Sequence, residues 1–154
     1  MSFTIKTKAF LEGETIPTKY TCDGIDVSPG LTWTGTPAGT QSLTLIADDP
    51  DAPVGTWTHW IIWNIPPEAA ALSEGVPKND TLKYGTRQGY NDFKRIGYGG
   101  PCPPPGTPHH YNFKLYALKV AKLEVPQGAS AALIGFNVRA QALAEAQLTG
   151  MYGR

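Results

Sequence analysis

The segment Trp57–Ile65 constrains the fold more than any other part of this chain. It is apolar on both alternating faces: Trp57, Ile61 and Trp63 fall on one, Trp60 and Ile62 on the other. A strand of that kind is central in its sheet and covered from both sides. Pro66-Pro67 closes it, because proline cannot donate to a ladder. Around it, 17 glycines and 14 prolines cut the chain into short segments, which favours an all-β arrangement. Residues 3–8 alternate, and Leu31-Thr32-Trp33 precedes a Gly/Pro turn. Ser42–Asp48 places Leu43, Leu45 and Ala47 on one face and Thr44, Ile46 and Asp48 on the other. His109–Leu118 groups His109, Tyr111, Phe113, Leu115 and Ala117 against His110, Asn112 and Lys114. Ala129, Ala132, Leu133, Phe136, Ala140 and Leu143 recur at three- and four-residue steps, predicting an amphipathic helix weakened by Gly135, and Ala144–Tyr152 alternates again. The expectation is an antiparallel all-β fold with one or two short helices, in a single domain spanning residues 1–154. Its weakly patterned connection, 68–100, is expected to fold over the site or carry partner contacts.

Charge narrows the partners. Lys+Arg and Asp+Glu are 13 each, so no net field draws the chain to nucleic acid or to an anionic membrane, and any anion preference must be local. The N-terminus alternates instead of forming a signal-peptide core, and no run approaches the ~18 apolar residues of a membrane span. A soluble cytoplasmic protein is expected. Cys22 and Cys102, far apart in sequence, are then expected to be reduced.

Three elements carry polar chemistry. Asp49-Pro50-Asp51-Ala52-Pro53 ends a strand whose Asp49 continues the Leu43, Leu45, Ala47 face, and its prolines stiffen it into extended backbone. Its plain reading is a turn whose aspartates accept backbone N–H groups. His59 lies within the Trp-rich strand, where a lone histidine is most often a satisfied core residue. The third element, Gly100-Pro101-Cys102 through His109-His110-Tyr111, adds a second inward histidine and a phenol. A neighbouring aspartate favours imidazolium. Two imidazoliums, a Tyr hydroxyl and N–H groups of the Gly99-Gly100 pair would then grip phosphate oxygens. No G-x-x-x-x-G-K, G-x-S-x-G or H-E-x-x-H motif is present. Adjacent His109 and His110 point to opposite faces, so no metal and no cofactor are expected.

The quoted boxes resemble the phosphatidylethanolamine-binding protein family, in its bacterial and archaeal branch related to Raf kinase inhibitor protein. The match runs from Lys19-Tyr20-Thr21-Cys22-Asp23-Gly24 through Ser28-Pro29-x-Leu31-x-Trp33, the Asp49–Pro53 box and Trp57-x-His59-Trp60. It continues through Asn91-Asp92-Phe93 and Gly97-Tyr98-x-Gly100-Pro101 to Tyr111, and ends at Leu143-Ala144-Glu145-Ala146. The resemblance implies two antiparallel sheets and a small anion-binding cavity lined by Asp49, Asp51, His59, His109 and Tyr111. Trp57, Pro53, Gly100 and Pro101 would shape its rim. One departure is His110, where the family usually has arginine; an ion pair made there would be lost or become pH-dependent.

These readings make the chain a non-enzymatic binding protein for phosphate-headed or phosphorylated ligands, including phospholipid head groups. The resemblance adds a homodimer and a regulator or inhibitor of a protein kinase or protease. The alternative is a phosphoester or ester hydrolase, or a lyase, using an Asp/His pair as general base.

Overall fold

The computed structural model describes residues 1–154. Eight strands and one α-helix follow in chain order: β1 (Thr4–Lys6), β2 (Leu31–Thr34), β3 (Ser42–Asp49), β4 (Trp57–Ile65), β5 (Ala71–Leu72), β6 (Arg87–Gln88), β7 (His109–Leu118), α1 (Ala131–Gln141) and β8 (Ala142–Tyr152). They form a three-stranded sheet, β1-β2-β5, and a five-stranded sheet, β6-β4-β3-β7-β8. Every strand pairing within the sheets is antiparallel. The expected two-sheet β fold is therefore present.

The larger sheet is covered on both faces, as the double apolar pattern of β4 requires. Leu43, Leu45, Ala47, Trp60, Ile62, Phe113 and Leu115 pack toward Ile5, Leu31 and Trp33 of the small sheet. Ile46, Ile61, Trp63, Tyr116 and Leu118 pack on the other face beneath Ile134 and Val138 of α1. Trp60 is fully buried, and its indole N–H donates to Gln88 Oε1 at 2.7 Å. Truncating a side chain of that kind costs about 3–5 kcal/mol.

Two features differ from the sequence reading. The helix forms, with Ser130 as N-cap accepting from the Leu133 N–H, but its expected inward face looks outward. Ile134, Gly135 and Val138 are the buried positions, whereas Leu133, Phe136 and Leu143 are 42%, 67% and 46% exposed. Periodicity locates an apolar stripe without saying which neighbour meets it. Here two β-branched aliphatics against Ile61 and Trp63 suffice to seat the helix, and Leu143 belongs to β8 instead.

The second difference is a disulfide joining Cys22 to Cys102 across a sequence separation of 80. The fold lays the turn after Tyr20 along the Pro-rich loop. Gly100 packs against the Tyr20 carbonyl and Asp26 so closely that a side chain would not fit. The Cys22 N–H donates to Pro101 O at 3.1 Å, and the Gly100 N–H to Asp26 Oδ1 at 2.8 Å. With Cα atoms 5.4 Å apart, the thiols meet bridging geometry.

Candidate functional site

A register shift in β4 builds the site. Ala47 pairs with Trp60, but the next pair is Asp48 with Thr58, so His59 is an extra residue opposite no partner. Such a bulge locally breaks the two-residue period. Without it, Trp57 would not stand across from Asp49, and His59 would follow Ile61 toward the helix. Asp92 locks the bulge: its N–H donates to Thr58 O at 2.9 Å, and its Oδ2 accepts the Thr58 N–H at 2.6 Å. Between β3 and β7 no shift intervenes, and Ala47 pairs with Phe113, so Asp49, His109 and Tyr111 share a face by plain alternation.

These strand ends enclose a cavity of about 230 Å3. Asp49, only 3% exposed, forms its floor. Oδ1 accepts the Asp51 N–H at 2.7 Å, and Oδ2 accepts His109 Nδ1–H at 2.7 Å. Both bonds offset the cost of burying a carboxylate. The His59 Nδ1–H donates to Gly99 O at 2.6 Å, and the Gly99 N–H returns a bond to His59 O at 2.9 Å. Burial lowers the His59 pKa, outweighing the raising effects of the Gly99 carbonyl and Asp49. The ring is thus neutral at pH 7, with Nε2 an acceptor. That corrects the expected pair of imidazoliums: at His59 desolvation prevails over the aspartate.

Aromatic rings complete the walls. Tyr111 meets His59 edge-on at 5.2 Å between centroids and stacks with His109 at 6.4 Å. Phe93 lies edge-on to both Trp57 and His59, each at 5.4 Å. The Trp57 indole N–H is buried with no hydrogen-bond partner in the protein, and the Tyr111 hydroxyl, equally buried, has none beyond the nearby Asp49 carboxylate. Burial, and then the charge of Asp49, raise the Tyr111 pKa, so the phenol keeps its proton.

The other expected residues sit differently. Pro53 lines one lip, and Cys102, Pro103 and Pro104 the opposite one. Arg154 holds that second lip, donating from Nε to Pro103 O at 2.8 Å and from Nη1 to Asp23 Oδ1 at 3.0 Å. Asp51 is turned outward: its Oδ2 accepts the His110 N–H at 2.8 Å and His110 Nδ1–H at 2.7 Å. The backbone N–H of His110, then its ring, hold the Asp51 carboxyl below the usual range. The imidazole at position 110 thus keeps a contact with Asp51. Gly100 and Pro101 lie behind the wall, and the N–H groups of Gly99 and Gly100 are both used within the protein. They are not free for a ligand, contrary to expectation. Phe93 was not anticipated as a site residue. It belongs to the quoted Asn91-Asp92-Phe93 box, whose first two side chains bond to backbone in turns: Asn91 Oδ1 accepts the Phe93 N–H at 2.9 Å.

No lysine or arginine lines this cavity. Asp49 and His59 Nε2 offer lone pairs, Tyr111 and Trp57 offer hydrogens, and His109, held by Asp49 through Nδ1, lines the same space. A complementary ligand therefore needs both acceptor atoms and a proton of its own to donate.

The chain matches the family model described as phosphatidylethanolamine-binding protein over residues 6–153. It is 49% identical over 150 residues to a UPF0098 protein of Methanothermobacter thermautotrophicus, covering 97% of this chain and 98% of that one. It is 40% identical over 160 residues to the Escherichia coli UPF0098 protein YbcL, covering 98% and 87%. The crystal structure of YbcL, titled a new member of the mammalian PEBP family, superposes with a TM-score of 0.94, covering 100% of this chain and 99% of that one. The phosphatidylethanolamine-binding protein homologue CT736 of Chlamydia trachomatis follows with a TM-score of 0.87 at 35% identity, covering 99% and 98%.

Proposed function

We propose, from the premise that this chain belongs to the phosphatidylethanolamine-binding protein family, that its cavity binds a phosphate-like oxyanion still carrying a proton. The ligand would be free phosphate or a phosphomonoester, whose second ionisation at about pH 6 leaves a P–OH; the diester head of a phospholipid has none. One observation carries this reading. Two buried hydrogen-bond donors, Trp57 Nε1 without a partner and Tyr111 Oη with none beyond the Asp49 carboxylate, belong to residues that line a cavity with the acceptors Asp49 and His59. An unprotonated anion would be repelled by Asp49, with no Lys or Arg to compensate. A P–OH group instead donates to the carboxylate or to His59 Nε2, and the other oxygens accept from the phenol and indole once a small turn of those side chains uncovers them.

The test is calorimetric titration with inorganic phosphate, phosphorylethanolamine and sulfate at pH 6–7. Phosphate and phosphorylethanolamine should bind, His109→Ala should weaken both, and sulfate, fully deprotonated there, should bind at least about tenfold more weakly. Equal affinity for sulfate would refute the proton-donor reading, and unchanged binding in His109→Ala would refute the site. A hydrolytic reading is favoured by the Asp49–His109 pair, whose 2.7 Å bond orients an imidazole as a general base would be oriented. Turnover of generic phosphoesters abolished by Asp49→Asn would support it.

No helix is long and apolar enough to cross a membrane. The Cys22–Cys102 bond fits an oxidising compartment better than the reducing cytoplasm expected from sequence.

A further inference from the structure

At the opposite end of β4 from the anion cavity lies a groove of about 660 Å3, against about 230 Å3 for that cavity. Its floor is Ile62 and Ile65, which are 0% and 2% exposed and belong to the main core. Its walls include Leu72, Val76 and Leu82, half-buried side chains packed against the same core. An apolar recess of this size, with few polar groups, falls in the range of small-molecule sites.

The lip of the groove carries an oddity that packing does not explain. Tyr84 is 86% exposed and held at φ 63°, ψ 23°. Side chains other than glycine take that left-handed conformation only where their surroundings enforce it. They do so here: the Leu82 N–H donates to Thr86 O at 2.8 Å, and Thr86 Oγ1–H donates to Asn64 O at 3.1 Å at the end of β4. Gly85 follows directly and also has positive φ, so a glycine at 84 would suit the turn better. The turn instead presents an aromatic ring to solvent above an apolar recess. Beside it Lys83 makes no ion pair, while Glu68 stands on the same rim. A single local cation suits one anionic group, and Glu68 disfavours a second.

We propose that this groove is a second ligand site for a small amphiphile. Its apolar body lies on Leu72, Val76 and Leu82 beside the Tyr84 ring, and one anionic end group meets Lys83. The site is independent of the anion cavity, so failure of either reading leaves the other standing.

The probe is 1-anilinonaphthalene-8-sulfonate, an aromatic body with one anion, titrated by fluorescence into the native protein in phosphate-free buffer. Saturable one-site binding is expected. Tyr84→Gly should leave Tm unchanged or raise it, yet weaken the probe about fivefold or more through loss of the ring. Lys83→Glu should weaken it comparably, and Val76→Trp, which fills the recess, should abolish it. Should Val76→Trp fail to fold, the two rim variants decide. Phosphate titrations of the rim variants should match the wild type. Absence of saturable binding would overturn the proposal. So would binding insensitive to Tyr84→Gly and Lys83→Glu, or binding lost instead in Phe136→Ser, which would place the probe on the exposed helix stripe.

Discussion

Tyr111→Phe removes one oxygen atom and is expected to move stability and ligand affinity in opposite directions. The hydroxyl is inaccessible to solvent and has no hydrogen-bond partner beyond the nearby Asp49 carboxylate. A buried polar group left unpaired costs about 1–3 kcal/mol of desolvation. Asp49 is near enough to raise the phenol's pKa, and its attraction for the hydroxyl offsets part of that cost. The net gain on deleting the oxygen should then be near the lower end, about 1 kcal/mol, or roughly 2–4 °C in Tm for a chain of this size. The ring contacts to His59 and His109 survive in phenylalanine. Binding should suffer, because a hydrogen bond to a charged ligand contributes about 1.5–3 kcal/mol, equivalent to roughly 10- to 150-fold in Kd. The assay pairs thermal unfolding in phosphate-free buffer with phosphate calorimetry. A fall in Tm without ligand would show that the hydroxyl is satisfied in the free protein. Unchanged phosphate affinity would remove Tyr111 from the binding set, and the reasoning from unpartnered donors with it.

Reducing the Cys22–Cys102 bond, or replacing both cysteines by serine, should cost about 4.5 kcal/mol for a separation of 80 residues on the chain-entropy account. Urea unfolding measures it, and a loss below about 1 kcal/mol would contradict that account. His59 sets an acid limit. Its folded pKa lies below the unfolded value near 6.5, so the unfolded state takes up a proton that the native state refuses. Stability should hold steady above about pH 6.5 and fall as pH drops from there toward the folded pKa. Thermal scans between pH 8 and 5 should show a shallower fall for His59→Gln; an equal slope would assign the effect elsewhere. Gly100→Ala drives a methyl group into the Tyr20 carbonyl and Asp26. It should destabilise by about 1–3 kcal/mol in urea unfolding, and a neutral result would mean the loop shifts freely.

The parts of this fold written in short-range pattern were legible. The ends of β3, β4 and β7 coincide with the alternating segments because proline and glycine stop pairing where the pattern stops. Asp49, His109 and Tyr111 could be placed together because β3 and β7 pair without interruption. The disulfide was illegible: two cysteines 80 residues apart carry no spacing signal, and their meeting depends on Gly100 packing beneath Tyr20. The helix stripe was legible in period but not in sign. Alanine, leucine and phenylalanine repeat on one side, yet the sheet is met by Ile134 and Val138 on the other. The charge of His59 was misjudged for a related reason, since Asp49 is visible in sequence and the depth of burial is not.

His59 also shows why a correct list of residues can rest on incomplete geometry. Strict alternation groups His59 with Ile61 and Trp63, and those two lie on the helix side of the sheet. Asp49 continues the opposite face, with Ala47. By the rule used to read the strands, the carboxylate and this imidazole should not meet. They meet because one residue is inserted between the pairs Ala47–Trp60 and Asp48–Thr58. On the other side of β4, β6 reaches only Ile62 and Trp63, so the Thr58 backbone has no strand partner there, and Asp92 satisfies it from both directions. That clamp also delivers Phe93 against His59 and Trp57. The bulge, the clamp and the aromatic wall are therefore one device, and weakening Asp92 should loosen all three together. The weakly patterned stretch between β6 and β7 contributes to the cavity through these side chain to backbone bonds, which no apolar periodicity records.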